Sequence, residues 1–203
     1  MRLFRPFFLL KLLYPEAIFR IKTGKKELYL TFDDGPSPDS TPRILDILEI
    51  HDIRALFFCS GQEAEKHPSL ISLIRSKRHI IGNHGYRHLN GYITNTQVYT
   101  RNISKAAKYT SENLMRPPYG RIRPSQYREL SKNYRVVFWD LMPYDFDEQL
   151  TGEKVLKILR KRIRPGSVIV LHDKKSSSVL SFLDEFIKYA EDEGYKFVIP
   201  PFS

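Results

Sequence analysis

Apolar positions along this chain follow two patterns in turn: short continuous runs, and longer stretches spaced by three or four residues. Continuous runs between turn-forming residues are typical of buried strands, and the wider spacing is typical of helices that cover a sheet. The runs predict strands at residues 28–32, 55–59, 79–82, 114–115, 135–139, 167–171 and 195–199. The spaced stretches predict helices at residues 43–51, 68–76, 94–112, 124–132, 151–163 and 177–193.

This alternation predicts one α/β domain in which crossover helices join parallel strands. The strand candidates suit a closed or nearly closed barrel as well as an open sheet, and periodicity alone does not separate the two. In either case functional side chains are expected just after the carboxyl ends of strands. Polar clusters follow five of the predicted strands and are expected to face one mouth: Asp33 with Asp34, His84 with His88, Arg116 to Gly120, Asp140 with Asp145, and His172 with Asp173.

Two of these clusters suggest a metal site. Adjacent carboxylates such as Asp33 and Asp34 repel each other, and a cation bound by one would leave the other free as a base. Two solvated acids in a turn would give the same pair. The spacing of His84 and His88 lets both imidazoles lie on one side of a helical turn or loop, and imidazole suits zinc, cobalt, nickel and iron. Two histidines and one aspartate leave positions open for water and substrate; unrelated surface histidines are the alternative.

The other clusters suggest acid–base and oxyanion chemistry. Two prolines stiffen the loop from Arg116 to Gly120, so an N–H that follows them can be aimed at an oxyanion, although a plain rigid turn has the same sequence. His172 can act as a general acid if a carboxylate orients it, and it can equally be structural. The candidate orienting carboxylates are Asp140, Asp145 and Asp173.

The five clusters, in this order, resemble the polysaccharide deacetylase family, carbohydrate esterases with a nodulation-type deacetylase domain. The resemblance spans about residues 27–199 and rests on Thr31 to Pro36, His84 to His88, Arg116 to Gly120, Trp139 with Asp140 to Asp145, and Leu171 to Asp173. It implies a distorted (β/α) barrel, often with seven strands. It also implies a hydrolase that removes acetyl groups from N-acetylglucosamine units of a chitin- or peptidoglycan-like glycan. The expected organisation is an N-terminal segment, residues 1–25, before a catalytic domain, residues 26–203.

The resemblance also implies roles for individual residues. Asp34, His84 and His88 would hold a divalent metal, most often Zn²⁺, with Co²⁺, Ni²⁺ or Fe²⁺ as alternatives. Asp33 would be the catalytic base and His172 the acid that protonates the departing amine. Arg116 would position Asp33, and Asp145 would adjust the acidity of His172. The Tyr119 N–H would contact the oxyanion. The substrate pocket would be lined by Pro118, Tyr119, Trp139 and Leu171.

Two positions depart from the family pattern. Gly85 stands where the family usually has Ser or Thr, which removes a hydroxyl expected to brace the histidine loop and is expected to weaken metal binding. Phe146 stands where the family usually has Trp, which keeps an aromatic wall but loses an indole N–H. Neither change affects a proposed ligand or acid–base residue. A catalytically silent glycan-binding barrel, or the same chemistry on an O-acetylated or lipid-linked sugar, are the rival functions.

Composition changes this picture little. The net charge of +10 is compatible with acidic partners, but the 33 basic residues are scattered and no interleaved aromatic and basic ladder is present. We therefore expect no nucleic-acid partner. The single cysteine, Cys59, lies in an apolar run and cannot form a disulfide within the chain.

The first residues are apolar and basic but give no clear cleavable signal peptide, because Lys11 interrupts the run and no small-residue cleavage site follows. Residues 1–24 are expected to pack on the domain or to make peripheral contact with a membrane. The compartment stays open between the cell envelope and the cytoplasm, and the oligomeric state is not predicted.

Overall fold

Seven short strands, paired in parallel, form the centre of the computed structural model, which describes residues 2–6, 9–111 and 113–199. Their hydrogen-bonded order is β5-β4-β3-β2-β1-β6, and β7 pairs with the start of β1. The strands are β1 (Glu27–Asp33), β2 (Leu56–Cys59), β3 (Ile80–Asn83), β4 (Leu114–Met115), β5 (Arg135–Val136), β6 (Ser167–His172) and β7 (Lys196–Phe197).

Single bridges close the sheet between its edge strands β5 and β6. Ile18 bridges Val137 just after β5, and Leu141 bridges Ile169 in β6. The chain beyond β5 therefore pairs with two different partners, so the predicted strand 135–139 is regular for only two residues. The sheet curls into a distorted (β/α) barrel, which confirms the fold class that the family resemblance implied.

Eight helices surround the strands in the described part of the chain: α1 (Leu10–Leu13), α2 (Thr41–Ile50), α3 (Gly61–Lys66), α4 (Pro68–Ser76), α5 (Thr96–Ala107), α6 (Pro124–Leu130), α7 (Gly152–Arg162) and α8 (Leu183–Asp192). The pattern missed α3, because its only buried residues are Gly61 and Ala64 and it has no apolar periodicity. The predicted helix 94–112 was too long: the Asn95 side chain caps α5 by accepting from the Gln97 N–H. The predicted helix 177–193 begins only at Leu183, after a 3-10 turn.

Alternation along β1 separates the core from the interior of the barrel. Leu28, Leu30 and Phe32 pack into the large apolar cluster beneath the helices, whereas Tyr29 belongs to a smaller cluster on the opposite face. Successive side chains of a strand point to opposite faces, so Tyr29, Thr31 and Asp33 all lie on the inner face of the barrel. The alternation thus brings a carboxylate to the inside of the barrel mouth.

Part of the predicted N-terminal segment packs on the barrel. Tyr14 and Phe19 are buried, whereas Leu9, Leu12 and Leu13 are 55%, 73% and 54% exposed. No helix in the described ranges is long and apolar enough to cross a membrane. The boundary between residues 25 and 26 stays a prediction. Residues 1, 7 and 8 of that segment, residue 112 of the predicted helix 94–112, and residues 200–203 of the predicted catalytic domain lie outside the described residues.

Candidate active site

The turn after β1 separates the side chains of its two acids. Asp34 adopts a left-handed conformation with φ of 77°, which aspartate tolerates better than most residues. Gly35 follows with no room for a side chain, since a Cβ there would collide with the Asp173 carboxylate. As a result Asp33 pairs with Arg116, whereas Asp34 faces the two histidines.

Asp34, His84 and His88 converge as the sequence predicted. Asp34 Oδ1 lies 3.6 Å from His84 Nε2 and 3.3 Å from His88 Nε2, and the three potential ligand atoms are all within 4.8 Å of one another. Asp34 Oδ1 is also buried and accepts no hydrogen bond from the described residues. A buried carboxylate oxygen beside two imidazole nitrogens is the environment that a divalent cation would satisfy.

Hydrogen bonding orients one of these imidazoles toward the shared centre. His84 Nδ1 lies 2.9 Å from the Arg116 carbonyl oxygen. A carbonyl can only accept, so Nδ1 carries a hydrogen, and in the neutral ring Nε2 is the nitrogen with the lone pair. Such a contact, which fixes the tautomer of the ring, is typical of histidines that bind metals.

Charge and burial favour ionised Asp34 and neutral His88, the protonation states in which each could bind a cation. Burial alone would raise the pKa of Asp34, but the positive charges of His172, His84, Lys174 and His88 outweigh it and lower the pKa to about 2. Burial, assisted by the charge of His84, lowers the pKa of His88 to about 4. At neutral pH Asp34 is therefore ionised and His88 is neutral.

A fully buried arginine fixes Asp33. The Nη1 atom of Arg116 lies 2.6 Å from Asp33 Oδ1 and 2.7 Å from the Thr31 hydroxyl. Its Nε and Nη2 atoms donate to the carbonyls of Val137 and Phe138. Asp33 Oδ1 is thus occupied, while Oδ2 accepts no hydrogen bond from the described residues and lies 3.9 Å from His84 Nε2. The pair leaves one oxygen available at the mouth.

The loop that carries Arg116 also presents Tyr119. Its φ is 58° and its side chain is 58% exposed, and its ring meets that of His88 edge-on with centroids 4.2 Å apart. The preceding residue, Pro118, is buried. A Cβ on Gly120 would collide with the Trp139 ring, so this glycine allows the loop to pack on the indole.

Asp145 orients His172 on the other side of the site. It accepts a 2.9 Å hydrogen bond from His172 Nδ1 and a 2.7 Å bond from the His172 main-chain N–H, and Ser177 Oγ donates to it at 2.7 Å. Burial would lower the pKa of His172, but the charge of Asp145 and its hydrogen bond raise it above its ordinary value. The Phe146 ring packs edge-on against His172.

The other two candidate orienting carboxylates contact different groups. Asp140 pairs with Arg164 and accepts from the hydroxyl of Ser167, the first residue of β6, so the expectation that it faces the mouth was wrong. The reason is that residues 140 and 141 bond to Val168 near the start of β6. Asp173 accepts hydrogen bonds from the hydroxyls of Ser40 and Thr41 at the start of α2. Burial raises the pKa of Asp173 to about 6.

Leu171 is not brought to the surface of the site. It has no exposed area and belongs to the apolar cluster beneath the helices, on the face opposite His172. The Trp139 Nε1 atom is buried and has no hydrogen-bond partner in the described chain. Their contribution to an acetyl pocket stays a prediction.

Sequence reasoning missed Lys174 and Asn102. Lys174 Nζ lies 3.1 Å from Asp34 Oδ2, and its position directly after the strand-end motif was a signal that could have indicated it. Asn102 lies within α5 and bonds to the main chain of Arg87 in the histidine loop. No local pattern distinguishes such a residue from any other polar position on a helix.

Comparisons with known proteins show which family the chain belongs to. A family model described as polysaccharide deacetylase matches residues 20–139. A peptidoglycan-N-acetylglucosamine deacetylase of Bacillus cereus is 33% identical over 188 residues, which cover 88% of this chain and 68% of that protein. The chain belongs to the polysaccharide deacetylase family.

Two further members extend the family match. A chitooligosaccharide deacetylase of Azorhizobium caulinodans is 33% identical over 162 residues, which cover 76% of this chain and 77% of that protein. The solved structure of a peptidoglycan N-acetylglucosamine deacetylase, in complex with an N-hydroxy benzamide, superposes with a TM-score of 0.88 at 31% identity and covers 97% of this chain and 95% of that one. The deacetylase family match therefore extends past Trp139 to the part of the chain that holds Asp145 and His172.

Proposed function

We propose that this protein is a metal-dependent hydrolase that removes acetyl groups from N-acetylglucosamine units of a glycan. The observation that carries the proposal is the convergence of Asp34, His84 and His88 beside a carboxylate fixed by arginine and a histidine fixed by Asp145. Relatives named as deacetylases of peptidoglycan N-acetylglucosamine and of chitooligosaccharides support this substrate class.

The residues present fit a divalent cation. Asp34 Oδ1 is buried without a hydrogen bond from the described chain, and two imidazole nitrogens face it. One carboxylate and two imidazoles suit Zn²⁺, and also Co²⁺, Ni²⁺ or Fe²⁺. When bound, such a cation supplies Lewis-acid chemistry that acidifies water and polarises a carbonyl.

The protein's own groups would perform the remaining chemistry. Asp33, positioned by Arg116, would take a proton from the attacking water through its uncommitted oxygen. The Tyr119 N–H would donate to the carbonyl oxygen as it gains charge. His172, oriented by Asp145, would give a proton to the nitrogen as the C–N bond breaks. Water adds its oxygen to the acetyl carbon, so the products are acetate and a free amino sugar.

Acetate release with defined metal content tests the proposal. Protein stripped by a chelator and reloaded with Zn²⁺ or Co²⁺ should release acetate from chitooligosaccharides or peptidoglycan fragments. His84→Ala should lose both the metal and the activity. A fully loaded protein that releases no acetate from any N- or O-acetylated sugar would contradict the proposal and favour a catalytically silent glycan-binding barrel. Acetate released only from O-acetylated sugars would favour the rival substrate class.

A second candidate substrate is a lipid-linked amino sugar, which a membrane contact of the N-terminal segment would bring within reach. Leu9, Leu12 and Leu13 are exposed and Lys11 lies between them. Apolar side chains next to a cation are typical of segments that lie on anionic bilayers. Flotation of the full chain with anionic liposomes, compared with Leu12→Ser/Leu13→Ser, tests this contact. Equal flotation of both proteins would contradict it.

A further inference from the structure

We infer that Asn102 is a positioning residue that holds the loop between the two histidines in the geometry that binds a divalent cation. The inference rests on the metal site of the proposed function. It concerns a residue of α5 outside the five sequence clusters, and it bears on Gly85, where the family usually has a hydroxyl.

Only three residues separate the two histidines in this loop. His84 follows β3 directly, and Gly85 then takes a left-handed conformation with φ of 77°. After Tyr86 and Arg87 the chain brings His88 back, so that the two imidazole rings lie 5.0 Å apart. The position of His88 therefore depends on how the main chain of Arg87 is held.

Asn102 holds that main chain through both of its polar groups. Its Oδ1 accepts from the Arg87 N–H at 2.9 Å, and its Nδ2 donates to the Arg87 carbonyl at 2.8 Å. Its own carbonyl accepts from the Tyr86 N–H at 3.1 Å. A carboxamide offers an acceptor and a donor side by side, so one side chain can bond both backbone groups of one residue.

The Arg87 carbonyl also accepts from the Leu89 N–H at 2.8 Å, and two further anchors of the loop lie earlier in the chain. The N–H groups of Gly61 and Gln62 donate to the carbonyls of Gly85 and Tyr86 at 2.8 and 2.9 Å. These bonds from the start of α3 fix residues 85 and 86. Asn102 fixes residue 87, which directly precedes the second proposed ligand.

Gly85 and Asn102 depend on the same space. A Cβ at position 85 would lie 2.7 Å from Asn102 Nδ2 and 3.0 Å from the Arg87 carbonyl oxygen. The first distance is closer than real contacts allow, so a Ser or Thr at position 85 would displace the carboxamide. In this chain the brace therefore comes from a neighbouring helix, where the family pattern predicts a hydroxyl within the loop.

The affinity for Zn²⁺, measured on the full chain by competition with a chelator, tests this role. Loss of a group that orients a ligand typically costs about 10- to 100-fold in metal affinity, and we expect Asn102→Ala to weaken binding by that factor. The matched control is Asn95→Ala, which removes an Asn hydrogen bond to the Gln97 N–H at the start of the same helix. It should lower the thermal midpoint of the metal-free protein but leave the Zn²⁺ affinity within about 3-fold of wild type.

Gly85→Ser disturbs the same contact by placing a side chain against the Asn102 carboxamide. It tests the role of Asn102 if Asn102→Ala does not fold. It should also weaken Zn²⁺ binding, and the loss in the double variant should be smaller than the product of the two single losses, because both act through one contact. If wild type binds no Zn²⁺, the proposed function fails. If wild type binds it and Asn102→Ala or Gly85→Ser binds equally well, the role of Asn102 is refuted.

Discussion

Two arginine–aspartate pairs lie near opposite ends of the ladder between β1 and β6, and they differ in the number of carboxylate oxygens that accept hydrogen bonds. Arg116 and Asp33 are 0% and 7% exposed by side chain, and only Oδ1 of Asp33 bonds to the guanidinium. Arg164 is 41% exposed, and both oxygens of its partner Asp140 accept hydrogen bonds, from Arg164 and from Ser167. Asp33 thus keeps one oxygen that accepts no hydrogen bond from the described residues, whereas both oxygens of Asp140 accept hydrogen bonds.

The comparison shows that a carboxylate paired with arginine is not by itself a functional signal. The uncommitted oxygen and its neighbours carry that information: Asp33 Oδ2 lies 3.9 Å from His84, which faces the proposed metal position. Asp140 instead joins the segment after β5 to the start of β6. Substitution of the aspartate and of the arginine in each pair distinguishes the proposed catalytic role of Asp33 from the structural role of Asp140.

The largest expected effect is on activity, from Asp33→Asn compared with Asp140→Asn. General base catalysis is worth about 10²- to 10⁴-fold, and an amide cannot accept the proton. We expect kcat/KM for chitooligosaccharide deacetylation to fall by that factor in Asp33→Asn and to stay within about 3-fold of wild type in Asp140→Asn, measured well below both thermal midpoints. Bound metal must be equal in all three proteins. Unchanged activity in Asp33→Asn would remove Asp33 from the catalytic role.

The next effect is on stability, from Arg116→Met compared with Arg164→Met. Removing one partner of a buried ion pair leaves an uncompensated charge and costs about 3–5 kcal/mol. Asp140 is also buried, but Arg164 is 41% exposed and Arg5 Nε lies 3.6 Å from Asp140 Oδ2, so Arg164→Met leaves the Asp140 charge partly compensated and should cost less. Denaturant unfolding of the metal-free proteins should show the larger loss for Arg116→Met. Equal losses would show that burial does not distinguish the two pairs.

The same pairs show how far sequence reasoning reaches. Both aspartates follow predicted strands, and the pattern treated them alike. Asp33 continues a regular strand whose alternation sets its side-chain direction, so its placement was predictable. Asp140 follows a segment that leaves the regular ladder after Val136. Its N–H donates to the Val168 carbonyl, and this pairing has no periodic signature in the sequence.

The same limit explains the other successes and omissions. The convergence of Asp34, His84 and His88 was predictable because each residue follows the carboxyl end of a parallel strand, and such ends meet at one mouth. Lys174 contacts Asp34, which precedes it by 140 positions, and Asn102 contacts Arg87, which precedes it by 15 positions. Only the folded barrel brings these residues together. The barrel is likewise closed by isolated bridges of Ile18 and Leu141, and a single bridge leaves no periodic pattern in the sequence.

The smallest effect concerns pH and a histidine at the end of the barrel opposite the mouth. His79 precedes β3, and its Nδ1 accepts a 3.1 Å hydrogen bond from the Ala55 N–H. Burial lowers its pKa from 6.5 to about 4. Between these values the unfolded chain holds a proton that the folded chain does not, so stability is lost as the pH falls from 6.5 toward 4. His88 at the mouth, with its pKa also lowered to about 4, acts in the same direction.

Two variants divide that pH dependence between the two ends of the barrel. His79→Asn keeps an acceptor for the Ala55 N–H but cannot titrate, so it should reduce the slope of unfolding free energy against pH by at most about 1.4 kcal/mol per pH unit, the value for one proton. His88→Asn should reduce the slope similarly. Of the two variants, only His88→Asn should also abolish the added stability that excess Zn²⁺ gives the wild type, because His88 belongs to the proposed ligand set and His79 does not.

Denaturant unfolding between pH 4.5 and 6.5 measures the slopes on metal-free protein, and repeating it near pH 7 with Zn²⁺ measures the stabilisation. If His79→Asn leaves the slope unchanged, protonation of His79 does not account for the loss of stability, and if His88→Asn is still stabilised by Zn²⁺, the cation binds without His88.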